Sequence, residues 1–288
     1  MRAGPIIPIS GAMLKFLLRL IPRRFRTKTP LVHVVHLHGS IGVGTPLQPA
    51  LTLKGVNETL ERAFAGKAIA GVAISVNSPG GSPVQSAMIH DRIRALAERH
   101  KVSVYVFCED VAASGGYWLA CAGDEIYADA GSIVGSIGVI SASFGFVEAM
   151  EKLGVERRVH TAGENKSILD PFQPEKEEDV ERLKSLQLDI HGDFKAHVRA
   201  RRGAKLVEDP ELFTGAFWTG RKAHGLGLVD GIGHMHGVLT RKFGEKLELR
   251  VIQKPQGWGL KRLGLGADIA ASTIEALEAR SIWARFGL

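Results

Sequence analysis

The chain of 288 residues carries 37 Lys and Arg against 30 Asp and Glu, a formal net charge of +7, and only two cysteines. With 45% hydrophobic and 23% charged residues it has the composition of an ordinary globular protein, with material for one large or two modest domains; a disordered chain and a disulfide-stapled scaffold are both excluded. The charge excess lies in residues 1–30, where Arg2, Lys15, Arg19, Arg23, Arg24, Arg26 and Lys28 face no Asp or Glu, and the remainder balances. A neutral body with a basic arm argues against a general nucleic-acid surface and for a local contact, most simply with anionic lipid.

In the arm, Met13, Leu14, Phe16, Leu17, Leu18, Leu20 and Ile21 form an apolar run broken by Lys15 and Arg19. It is too short to span a bilayer, and its charge lies mostly after the apolar part with no small-residue cleavage site following. An amphipathic helix in a membrane interface or a disordered basic tail remains. Leu31–Leu37 reads as a strand ending at Gly39, with a turn-rich loop to Pro49. His36 and His38 share one face of it, but no third ligand stands at a recognisable spacing, so no metal site is expected. Lys54–Ala65 has helical spacing. Val72–Val76 reads as a buried strand leading to Asn77-Ser78-Pro79-Gly80-Gly81-Ser82, and Pro83–His100 as a helix with Met88, Ile89, Ile93 and Leu96 inward.

The same order recurs from Val102: a strand, the turn at Ala113-Ser114-Gly115-Gly116, and a helix. Successive units of this kind imply a parallel sheet with right-handed crossovers, and working loops at the carboxyl ends of its strands. The Gly80-Gly81 and Ser114 turns then lie side by side. Cys108 and Cys121 flank the Ser114 turn; two cysteines in apolar surroundings are more often buried thiols than a bridge, and the sequence does not decide between them. Asp124–Ala128 and Ser132–Ser141 follow as strands, Phe144–Leu153 as a helix closed by Gly154, and Val155–Thr161 as another strand. Glu175–Arg202 is a long helix with Val180, Leu183, Leu186, Ile190, Phe194 and Val198 on one stripe. Thr219–Val229 gives a short helix and strand, and Asp268–Phe286 an amphipathic helix.

A serine at a helix start beside glycine amides has two readings: an N-cap, or a nucleophile whose oxyanion those amides hold. Acyl transfer also needs a base. Histidines are available, though none sits in a motif tied to this turn. Lys166 lies in a Gly-x-x-Lys loop after a strand, and a lysine acts as a base at neutral pH only where burial lowers its pKa, by up to about 3–5 units for a fully buried group.

The set Asn77-Ser78-Pro79-Gly80-Gly81, Ala113-Ser114-Gly115-Gly116-Tyr117, Gly135-Ser136-Ile137-Gly138, Thr161-Ala162-Gly163-Glu164-Asn165-Lys166 and Thr219–Asp230 resembles, in order and separation, the signal peptide peptidase A (protease IV, SohB-like) family of serine peptidases. The likeness covers roughly residues 31–238. It implies an α/β fold of the Clp protease/crotonase type, with repeated β-β-α units and a mostly parallel sheet flanked by helices. It carries the nucleophile onto Ser114, the general base onto Lys166, the lysine-orienting hydroxyl onto Ser136 and the oxyanion amides onto Gly80 and Gly115, with no cofactor and no metal. Trp118 stands where the family's side chains vary, which bears on a substrate pocket and not on the chemistry.

The expected organisation is a basic arm over 1–30, a peptidase domain over 31–238 and a C-terminal extension over 239–288. The expected function is a membrane-associated bacterial serine endopeptidase, cutting extended apolar peptides such as cleaved signal peptides. Its site would be completed in a homo-oligomeric ring, with the arm on the membrane surface and no nucleic-acid partner. The arginines after the apolar run would keep the domain cytoplasmic if the arm inserted, so the side of the membrane stays open. Two other readings stand beside it: a catalytically silent scaffold that binds membrane proteins, and a crotonase-type acyl-CoA enzyme, against which the Ser114/Lys166 pairing counts.

Overall fold

A computed structural model describes residues 29–42, 44, 50–66, 68–253 and 283–287. The basic arm up to residue 28 and nearly all of the expected C-terminal helix lie outside the described residues. The first half alternates strand and helix: β1 (Leu31–His38), α1 (Leu53–Phe64), β2 (Gly71–Ser78), α2 (Pro83–His100), β3 (Val104–Ala113) and α3 (Gly115–Ala120). Then come β4 (Glu125–Ala128), β5 (Ile133–Gly135), α4 (Val147–Leu153), α5 (Glu177–Arg202), β6 (Phe217–Thr219), α6 (Gly220–Gly225), β7 (Gly231–Ile232), α7 (Met235–Phe243) and β8 (Glu248–Val251). This is the α/β architecture expected, a mostly parallel sheet flanked by helices.

The strands run β6-β5-β3-β2-β1-β8, with β4 on β3 and β7 on β4; every pairing is parallel except β5 with β6. β2 is buried on both faces, as a central parallel strand must be. Local chemistry sets the helix ends. Thr52 caps α1 by accepting the Gly55 amide at 3.2 Å, and Ser82 caps α2 by accepting that of Gln85 at 3.3 Å. α2 stops at Lys101 in the left-handed conformation, and α4 at Gly154 likewise.

β3 forks. Tyr105–Cys108 pairs with β4 and Val111–Ala113 with β5, and the register against β2 shifts between Val76 and Ser78. Asn77 fills the gap: its Oδ1 accepts the Val111 amide at 3.2 Å and its Nδ2 donates to Asp110 at 2.8 Å.

One face of the sheet packs on α1, α2, α3 and the end of α5, through Phe64, Ile89, Ile93, Leu119, Phe194 and Val198. On the other, Val32, Val34, Ala73, Tyr105 and Phe107 meet Val238 and Leu239 of α7. Behind α3, the Tyr117 hydroxyl donates to the Leu228 carbonyl at 2.7 Å. Arg202, buried, grips Asp230 through two nitrogens at 2.9 and 3.1 Å, and Asp230 also accepts from Lys205 and from the Ile126 amide. The Thr219–Asp230 motif thus locks α5 and β4 to the body.

Several expectations of local structure and burial change. Val155–Thr161 is not a strand; every residue of it is exposed and, among the described residues, no strand pairs with it. On α5 the apolar stripe is buried only from Phe194 onward, while Leu186 and Ile190 are exposed. Met88 also faces outward. Position 238 lies within α7, and β8 pairs with β1.

Candidate active site

β2, β3 and β5 end side by side in three tight turns. After β2, the Gly80 amide donates to Ser78 Oγ at 3.2 Å. Gly81 lies against Ile41 so closely that a Cβ there would stand 2.1 Å from the Ile41 carbonyl oxygen, at φ +140°. Only glycine fits this position. After β5, Ser136 takes φ 54° and is nearly buried, its amide donating to the Ala216 carbonyl at 2.7 Å.

After β3, Ser114 adopts φ 53°, ψ −122°, a conformation costly for any residue but glycine. Flanking bonds hold it there: its amide donates to Gly135 at 2.8 Å, and its carbonyl accepts from Trp118 at 3.0 Å. Its hydroxyl makes no bond to the helix end. The N-cap reading of this serine therefore fails, and strain of this kind collects at strand-to-helix turns that project a reactive side chain.

The turns border a cleft of about 660 Å³ lined by Pro79, Gly81, Ser114, Gly115 and Ser136, with an apolar wall of Trp118, Val139, Ile140, Ile190 and Phe194. Trp118 is clamped by stacking on Phe194 at 4.8 Å and on His197 at 4.6 Å. Burial, aided by His90 alongside, lowers the His197 pKa to about 4, so this ring is neutral at pH 7. Burial pushes both thiols, Cys108 and Cys121, up to about 12; neither is a nucleophile at neutral pH.

The two expected amides are placed differently. Gly115 lines the cleft, but Gly80 sits behind it with its N–H engaged by Ser78. Gly81 lines the cleft instead, and its nitrogen would lie 3.4 Å from a Cβ placed on Gly115. Sequence held a signal for this, since both glycines of the pair were visible; which one faces the cleft depends on the approach of Ile41.

Lys166 is not brought to the cleft within one copy of the chain. It is exposed on a turn of a segment that folds on itself. Arg157 there pairs with Asp170 and lies 4.7 Å over the Phe172 ring, which stacks on Phe146 at 5.3 Å. A residue the sequence reading passed over, His191, does line the cleft, with Nε2 3.1 Å from the Ile137 carbonyl oxygen. Its position beside Ile190, on the same stripe as Phe194, was the available signal.

With this geometry in hand, comparison with known proteins is informative. Residues 96–247 match the model of Peptidase family S49. A Brucella abortus protein named Na(+)/H(+) antiporter NhaA is 55% identical over 284 residues, which cover 94% of this chain and 39% of that protein. The chain therefore spans about two-fifths of that relative's length. Among the described residues no helix is long and apolar enough to cross a membrane. Arabidopsis thaliana serine protease SPPA, chloroplastic, is 32% identical over 161 residues, 56% of this chain and 24% of that protein. A solved membrane-bound stomatin-specific protease superposes with a TM-score of 0.49 at 14% identity, covering 79% of this chain and 99% of that one.

Proposed function

The chain belongs to peptidase family S49, and from that premise we propose that it is a serine endopeptidase with Ser114 as its nucleophile. The observation that carries this reading is the strained, uncapped Ser114 facing a cleft beside the Gly81 and Gly115 amides. Ser114 Oγ attacks the scissile carbonyl carbon while a base takes its proton. The oxyanion is held by the amides of Gly115 and of Gly81, in place of Gly80. The C–N bond then breaks, the leaving amine takes the proton back, and water cleaves the acyl-serine ester. The residues that do this need no cofactor. A Cβ on Gly80 would press on Ser114 Cβ at 2.8 Å and on the Gly115 amide at 2.9 Å. Gly80→Ala is therefore expected to lower kcat by about 10²–10³-fold on a chromogenic peptide, and unchanged kcat would remove these turns from the mechanism.

The base is Lys166, oriented by Ser136 and supplied by a neighbouring copy in a homo-oligomeric ring. The exposed apolar residues Ile140, Phe144, Leu153, Leu186 and Leu188, all between 140 and 190, support assembly, because a second copy would bury them. Ser114→Ala and Lys166→Ala are each expected to be inactive alone. Mixed in equal amounts and allowed to exchange, they should regain roughly a quarter of wild-type activity if neighbours share sites at random. No recovery would place both groups in one copy. The second reading, favoured by the presence of His191 in the cleft, makes that histidine the base. An active Lys166→Ala with an inactive His191→Ala would establish it.

The substrates are extended apolar peptides such as cleaved signal peptides, consistent with the apolar wall and with the exposed edge strand β6 beside the cleft. Residues 1–30 hold the enzyme at a bacterial membrane by their basic and apolar side chains. Labelling by a fluorophosphonate that disappears in Ser114→Ala tests the peptidase against the silent scaffold; an unlabelled, folded wild type would support the scaffold.

A further inference from the structure

Away from the cleft, on the sheet face that α7 covers, three metal-ligating side chains converge. His36 and His38 continue the row of Val32 and Val34 on β1, and Glu109 continues that of Tyr105 and Phe107 on β3. Between them β2 presents Ser75, whose small side chain lets an imidazole and a carboxylate meet above it. The ligand atoms of His36, His38 and Glu109 all lie within 4.8 Å of one another. His38 Nε2 and Glu109 Oε2 are 3.4 Å apart, and the two imidazoles meet edge-on with centroids 5.0 Å apart.

We propose that His36, His38 and Glu109 form a binding site for a divalent transition-metal ion, zinc foremost. Zinc takes nitrogen and carboxylate donors at about 2.0–2.2 Å, which places donors of a tetrahedron roughly 3.3–3.5 Å apart. The His38–Glu109 separation already has that value, and His36 brings a third donor within 4.8 Å of both. Two imidazoles and one carboxylate, all exposed, leave the fourth position to water. The outer partner is present too: the Ser75 hydroxyl donates to Glu109, and it also lies 2.7 Å from His38 Nε2, the contact that an ion would replace. The ion joins β1 to β3 across β2, and β3 is the strand that ends at Ser114. Its role is to brace the carboxyl ends of the central strands, not to enter the reaction, and it does not rest on the peptidase reading.

The test uses the full chain, tag-free and stripped with EDTA, titrated with Zn²⁺ alone in a competition assay. One ion per chain is expected, at a Kd of about 1 µM or below, with an upward shift of the thermal midpoint. His38→Ala and Glu109→Gln should each weaken binding at least tenfold and abolish the shift. Their midpoints in EDTA should match wild type, because both side chains are exposed. His234→Ala, which removes an exposed histidine paired with Asp129, should bind as wild type. Absence of saturable binding below about 100 µM would overturn the site, as would equal binding by His38→Ala and Glu109→Gln, or binding that follows His234 instead.

Discussion

Ser114→Ala is expected to abolish peptide hydrolysis, lowering kcat by about 10⁴–10⁶-fold, while leaving the unfolding midpoint near that of wild type. The magnitude follows from losing the nucleophile of a unit that acts together: the amides and the binding cleft that remain supply only a small residue of catalysis. The unchanged midpoint follows from the local structure. The hydroxyl caps nothing and the backbone bonds to Gly135 and Trp118 do not involve it. Alanine meets the same φ of 53° with the same Cβ, so no new strain arises. Single-turnover kinetics with a peptide ester and a thermal melt of the same preparation check both halves. Hydrolysis at wild-type rate would place the reaction elsewhere; a collapsed midpoint would show that the hydroxyl is structural.

The second large effect is on stability. Asp230→Ala is expected to cost about 3–5 kcal/mol, read as a lower urea midpoint at unchanged m-value, because it strands the buried Arg202 and deprives the Ile126 amide of its acceptor. The effect depends on pH. Burial pushes the Asp230 carboxyl up, but hydrogen bonds from Arg202 and Lys205 outweigh it and hold the group below the usual carboxylate range. A depressed folded-state value means that the contribution is complete above the unfolded carboxylate pKa of about 3.9, and is lost as pH falls further through the folded value. The gap between wild type and variant should therefore be constant near neutrality and shrink below about pH 4. A gap unchanged into strong acid would assign the loss to packing alone.

The three turns were legible in the chain because their sequence signals are local. The Asn77–Gly81 and Ala113–Gly116 runs follow apolar strands and precede helices, and parallel strands in succession put such turns side by side. The helix over Pro83–His100 was equally plain from its proline and its apolar spacing. Val155–Thr161 misled because a strand holds only where a partner lies beside it, and among the described residues none pairs with it. The α5 stripe misled for a related reason: periodicity marks an apolar face but not what covers it.

By itself the sequence determined the alternating strands and helices from Leu31 to Ala120, their parallel order and the residue types at the turns, since these depend on neighbours a few positions apart. Tertiary structure alone decided three things. It chose Gly81 over Gly80 for the cleft, because Ile41 arrives from β1 and packs on that glycine. It left Lys166 outside, because Arg157, Asp170 and Phe172 close the segment on itself. It brought Glu109 beside His36 and His38, because Ser75 is small enough for Glu109 to reach across a strand. Each rests on a contact between residues far apart along the chain, and such distances no local spacing encodes.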